Sequence, residues 1–180
     1  LWALLLSLTL WRIHPFRPSR LALAGAFREL SALCADLDRL LAEGAPENAW
    51  GEHVGRHRRA VRLSIENARA ALEQLLRARG LRDAVGRLLI GLETAERLFA
   101  LLIVLEDRLE EQGQRFRAPD RAAARRRLRQ LAVVLLRQSR LLEAGRPPDA
   151  RLRAALARLE AMPAPADGGD SESPVSYTHL

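Results

Sequence analysis

Seven apolar residues in the middle of the chain, Leu81, Val85, Leu88, Leu92, Ala95, Phe99 and Leu102, recur at alternating steps of four and three. That spacing keeps them on one face of an α-helix, whereas in a strand they would scatter over both sides. A stripe this regular must be buried, against an antiparallel neighbour in the same chain or against a second copy. Leu, Ala and Arg dominate the remainder, β-branched residues are few and aromatics are only 4%, so helix is favoured at nearly every position. The sequence predicts an all-α fold, an antiparallel bundle of about four to five helices.

Four further stripes give the other helices. The first is expected from Ser19, as N-cap behind Pro18, to about Glu43, with Leu23, Phe27, Leu30, Cys34, Leu37 and Leu41 inward. Gly44, Ala45 and Pro46 should end it. The second is expected from about Glu52 to Arg79, with Val54, Val61, Ile65, Ala68, Leu72 and Leu75 inward, and the third from about Leu81 to Gln112. Asp120 is read as the cap of a fourth helix reaching about Ala144 and burying Leu128, Leu131, Leu135 and Leu142. Asp149 should open a fifth, to about Ala161, with Leu152, Leu156 and Leu159 on one side. Phe99 is expected in the core, where replacement by Ala costs about 3–5 kcal/mol if the ring is central. The lone Cys34 lies among Leu30, Leu33 and Leu37 and has no partner for an intramolecular disulfide; it reads as a small packed residue.

The start of the chain changes solvent partway. Leu1–Trp11 is uncharged, and Arg12, His14, Arg17 and Arg20 then arrive around Pro15 and Pro18. As a helix the run spans roughly 17 Å, about half of the ~30 Å hydrocarbon core. We read it as the closing turns of a transmembrane helix. Basic residues that come after an apolar run, with no small-residue cleavage site, argue against a secretory signal peptide. By the positive-inside rule they put the residues beyond Arg12 on the cytoplasmic side. The expected organisation is residues 1–12 as the end of a transmembrane helix, 13–162 as a cytoplasmic helical domain, 163–174 as a disordered Pro, Gly, Ser and acidic linker, and 175–180 as a non-native tail. That tail, VSYTHL, resembles a translated sequencing-library adaptor.

Formal net charge is +7 and all 29 basic residues are Arg, which suits a domain lying against an anionic leaflet. Arg12, Arg17, Arg20, Arg56, Arg58, Arg59 and Arg62 are the candidate contacts to anionic lipid or ligand. Arg121, Arg125, Arg126, Arg127 and Arg129 form a second basic cluster. Nucleic acid is not expected as a partner, because aromatic stacking platforms and a recognition-helix signature are absent. His53 and His57 lie one helical turn apart, but a zinc site needs at least one more ligand and the H-E-x-x-H order is missing. Glu93, Glu96, Glu106, Asp107, Glu110 and Glu111 come without a Glu-x-x-His motif, which leaves them as ion-pair partners. No nucleophile elbow or phosphate-binding loop is present. The reading is of a non-enzyme without a cofactor.

The junction Trp11-Arg12-Ile13-His14-Pro15-Phe16-Arg17-Pro18-Ser19-Arg20, followed by Ala22, Ala24, Phe27 and Arg28, resembles the segment after the first membrane block of the FUSC family of bacterial inner-membrane proteins. The stretch from Glu93 to Asp107 is similar to that family's cytoplasmic helical region. The resemblance covers about residues 1 to 162 and implies a middle domain between two membrane blocks of an efflux transporter for aromatic or other organic acids. Its implied partners are the membrane, the remaining transmembrane segments, and a second copy or a periplasmic efflux partner. The spans that would form a pathway lie outside this chain, so no transport residue carries over. The alternative is a membrane-anchored signalling or scaffold stalk that dimerises through the long apolar seam.

Overall fold

The computed structural model describes residues 16–43, 47–77, 82–112, 118–146 and 149–161. They form five helices: α1 (Arg17–Glu43), α2 (Glu47–Arg77), α3 (Arg82–Gln112), α4 (Ala118–Glu143) and α5 (Ala150–Glu160). Among the described residues there is no strand, and the fold is an all-α bundle.

The contacts that cross between helices fix their directions. Ser19 Oγ donates to the Ala71 carbonyl (3.0 Å) and His57 Nε2 lies 2.7 Å from Asp36 Oδ2, so α1 and α2 run antiparallel. Ser31 Oγ to the Ala132 carbonyl (2.8 Å) and Arg125 Nε to Asp38 (2.9 Å) do the same for α1 and α4. Arg58 with Glu106 and Arg69 with Glu96 make α2 and α3 antiparallel. Thus α3 runs alongside α1, and the helices alternate up and down. Among them α1 is the hub, since it packs against α2, α3 and α4.

The sequence explains that role. Leu23, Phe27, Leu30, Cys34, Leu37 and Leu41 are buried, as the spacing predicts. A second row, Ser19, Ala26, Leu33 and Leu40, repeats every seven residues and is buried as well; the Ser19 bond shows that this face meets α2. Two stripes give α1 an apolar arc wide enough for three neighbours. Burial also pushes the Cys34 thiol up to about 12, so almost no thiolate exists at neutral pH. A thiol reagent at pH 8 should label Cys34 only as fast as the bundle unfolds, and rapid labelling of the folded protein would contradict this placement.

Inward positions elsewhere agree with their stripes. Val61, Ile65, Ala68, Leu72 and Leu75 of α2 are buried, as are Val85, Leu88, Leu92, Ala95 and Leu102 of α3 and Leu128 and Leu135 of α4. The long α3 seam is therefore used inside the chain. Phe99, Leu131 and Leu142 are only partly buried against this core. Val54, Leu81, Leu156 and Leu159 lie outside the described side chains.

Three helix starts differ from expectation. Arg20 N–H donates to the Phe16 carbonyl at 2.9 Å, which makes Phe16 the residue whose carbonyl begins α1. Ser19 is thus inside the first turn, and its hydroxyl serves α2 rather than its own helix end. Pro18 is tolerated there because a first-turn N–H has no intrahelical acceptor. α2 begins at Glu47, not Glu52, so Asn48, Trp50 and Gly51 belong to its first turns; one Gly costs only about 1 kcal/mol and does not stop a helix that packing supports. Asp120 stands in the first turn of α4 instead of capping it, still at the positive end of the helix dipole.

Asp149 does cap α5. Arg137 bonds it from α4 (Nε to Oδ1 3.0 Å), it accepts from the Leu152 N–H at 2.8 Å, and together these hold its carboxyl at about 2. Because the folded value lies below the ordinary 3.8, the stabilisation is present above that pH and is lost as pH falls through about 2. An NMR titration of the Asp149 carboxyl should give a midpoint near 2, and one near 3.8 would show that α5 is not held this way.

Candidate functional site

Alternation of helix direction gathers the start of α1, the end of α2, the start of α3 and the end of α4 at one end of the bundle. The level is set by Ser19 against Ala71, and by Leu23, whose Cδ2 would sit 2.8 Å from a Cβ added at Gly91. Arg17 and Arg20 come from α1, Arg77 from α2, Arg87 from α3, and Arg140 and Arg146 from α4 and the residues after it. Arg17, Arg87, Arg140 and Arg146 are exposed and form no ion pair with the described residues. Of the described carboxylates at this end, Glu143 holds Arg28 at 3.0 Å, Glu73 lies 4.0 Å from Arg77 and Asp149 pairs with Arg137; the Asp83 side chain lies outside the described residues.

The backbone at this end is closed rather than frayed. Gly145 takes φ +65, and its N–H donates to Leu142 (3.1 Å) while that of Arg146 donates to Leu141 (2.8 Å). This is a Schellman ending, which satisfies the last carbonyls and favours Gly at the left-handed position. The Arg20 guanidinium lies across the same glycine, where any Cβ would collide with it, and its Nε is buried without a hydrogen-bond partner.

The opposite half of the bundle carries more arginines; several are paired with carboxylates, while Arg56, Arg59, Arg108 and Arg126 are exposed with no ion pair to a described residue. Arg58 bonds Glu106 and Asp107, each at 2.8 Å, and these partners and burial set the balance that leaves its pKa raised. Asp38 holds Arg125 at 2.9 Å and Arg129 at 3.7 Å. Asp36 meets His57 and Arg39. His57 Nδ1 is buried without a partner. Among the described residues no three potential ligands converge on a metal position; the His53 side chain lies outside them.

The arginines singled out by sequence do not form one patch. Arg17 and Arg20 stand at the first end, and Arg12 lies outside the described residues. Arg56, Arg58, Arg59 and Arg62 lie level with the far half of α1, about 20 Å away along the axis by helical rise. Of these, Arg58 is engaged as above and Arg62 pairs with Glu66 at 3.3 Å. The sequence does not group Arg77, Arg87, Arg140 and Arg146 at the same end as Arg17; helix polarity, counted along the chain, is the signal that places them there.

No helix among the described residues is long and apolar enough to cross a membrane. The fold is an up-and-down all-α bundle with exposed arginines at both ends. No protein-family model, curated protein or solved structure matches the chain.

Proposed function

We propose that this chain is the cytoplasmic middle domain of a FUSC-like bacterial inner-membrane efflux protein for aromatic or other organic acids, held at the membrane by the segment before α1. One observation carries the reading: the uncharged run Leu1–Trp11 precedes α1 in the sequence, and at the end of the bundle where α1 starts Arg17, Arg140 and Arg146 are exposed with no ion pair to a described residue. Arginines just inside an apolar span are the usual mark of the cytoplasmic boundary. Of the two stretches that carry the family resemblance, one leads into the hub helix α1 and the other lies on α3, so both bear on the core. The domain's role is to brace the membrane blocks and any oligomer, and the pathway belongs to spans beyond this chain.

Cells producing the complete gene product should accumulate less of a supplied aromatic acid than cells with the empty vector. Equal accumulation across a panel of aromatic acids overturns the transport reading.

The runner-up, a dimerising membrane-anchored stalk, loses its seam to the interior of the bundle but keeps a second apolar face on α3, where Ile90 and Leu101 are 66% and 65% exposed. It predicts a concentration-dependent dimer that Leu101→Glu abolishes.

A further inference from the structure

We infer that α5 is a strap: it opens from α4 on its own, while the rest of the bundle stays folded, and in doing so bares an apolar strip on α4. This holds with or without a membrane tether.

Three features support it. The first is isolation. Among the described residues α5 packs against α4 and no other helix. Val134, Leu152 and Ala155, with the partly buried Leu141, form a cluster apart from the core around α1, so releasing α5 leaves that core as it is. The second is the weakness of the polar ties. Arg137 meets Asp149 where their side chains are 31% and 37% exposed, so water screens the pair. Gln130 Nε2 donates to the Ala155 carbonyl at 3.4 Å, at the long end of the hydrogen-bond range. The third is the way α4 finishes. The N–H groups of Gly145 and Arg146 satisfy its last turn, and Arg20 of α1 lies across Gly145, so α4 is closed and docked without help from α5. Pro147 and Pro148 follow in the sequence, and because proline breaks a helix interior a released α5 cannot merge with α4 into one longer helix.

Opening also unravels α5. It has 11 residues, too few for an isolated helix to be stable in water. Its departure uncovers Val134 and Leu141 beside Val133, which is already 58% exposed. Closed, α5 withholds this strip from other helices.

Residue-resolved native-state hydrogen exchange on the full chain tests the strap. The α5 amides should be protected, yet at least about a hundredfold less than those in the middle of α1. Low urea should accelerate exchange in α1 and leave α5 nearly unchanged, because a local opening exposes little new surface. Leu152→Ala should speed α5 exchange about tenfold. Leu33→Ala, which weakens contacts that are present whether α5 is closed or open, should speed α1 exchange about thirtyfold or more and leave α5 unchanged. Protection in α5 equal to that in α1, with the same urea dependence, overturns the inference, since α5 then opens only with the whole bundle. So does acceleration of both helices by one factor in Leu33→Ala. Unprotected α5 amides in the wild type, or α5 exchange indifferent to Leu152→Ala, overturn it from the other side, because α5 is then not held closed by α4.

Discussion

Replacing Leu33 by Ala lowers the unfolding free energy by about 2–5 kcal/mol, seen as a fall in the urea midpoint at constant slope. Leu33 is fully buried, on the α1 face that meets α2. Its neighbours along that face are Ala26 and Leu40, and both are buried too. A void there loses the transfer free energy of the side chain and the contacts around it, because close-packed helices collapse only partly. Phe99→Ala is the control. Phe99 is only partly buried, so its cost should fall below the ~3–5 kcal/mol of a central ring. If Leu33→Ala loses no stability, the Leu33 face of α1 is not packed as described.

Glu106→Ala should cost about 1–3 kcal/mol, the second-largest effect. The Glu106 side chain is 5% exposed and accepts from Arg58 Nε at 2.8 Å. Its removal strips a charged acceptor from the α2–α3 contact, but Arg58 keeps Asp107 and is about a third exposed, which holds the loss below that of a fully buried ion pair. The double variant Arg58→Ala/Glu106→Ala should be less destabilised than the sum of the single ones. Strict additivity, read from urea curves, would show that the two side chains do not act as a unit.

These two sites also show what could be read from the amino acids. The Leu33 region was half legible: the stripe through Leu23, Leu30 and Leu37 was evident, but the row through Ser19, Ala26 and Leu33 was not. Ser and Ala do not register as apolar signals, although small residues let helices approach closely. Ser19 fits the local rule for a cap, and the acceptor it uses instead, the Ala71 carbonyl, is 52 positions away. Asp149 was legible because its partner N–H is three residues on, which is the distance that the capping rule describes. The basic end was the least legible. Arg56, Arg58, Arg59 and Arg62 are dense in sequence, yet two of them are tied to carboxylates. Arg17, Arg87, Arg140 and Arg146 are scattered and reach one end of the bundle only because successive helices reverse direction.

The membrane-tethered middle domain is the central claim, and reading the complete coding frame outward from this chain tests it most directly. The account predicts several apolar spans of about 20 residues before Leu1 and several more after the Pro163 segment, with arginines on the side of the bundle. A frame with one upstream span and a stop or a polar domain downstream would contradict it, and the dimeric stalk would then be the better account.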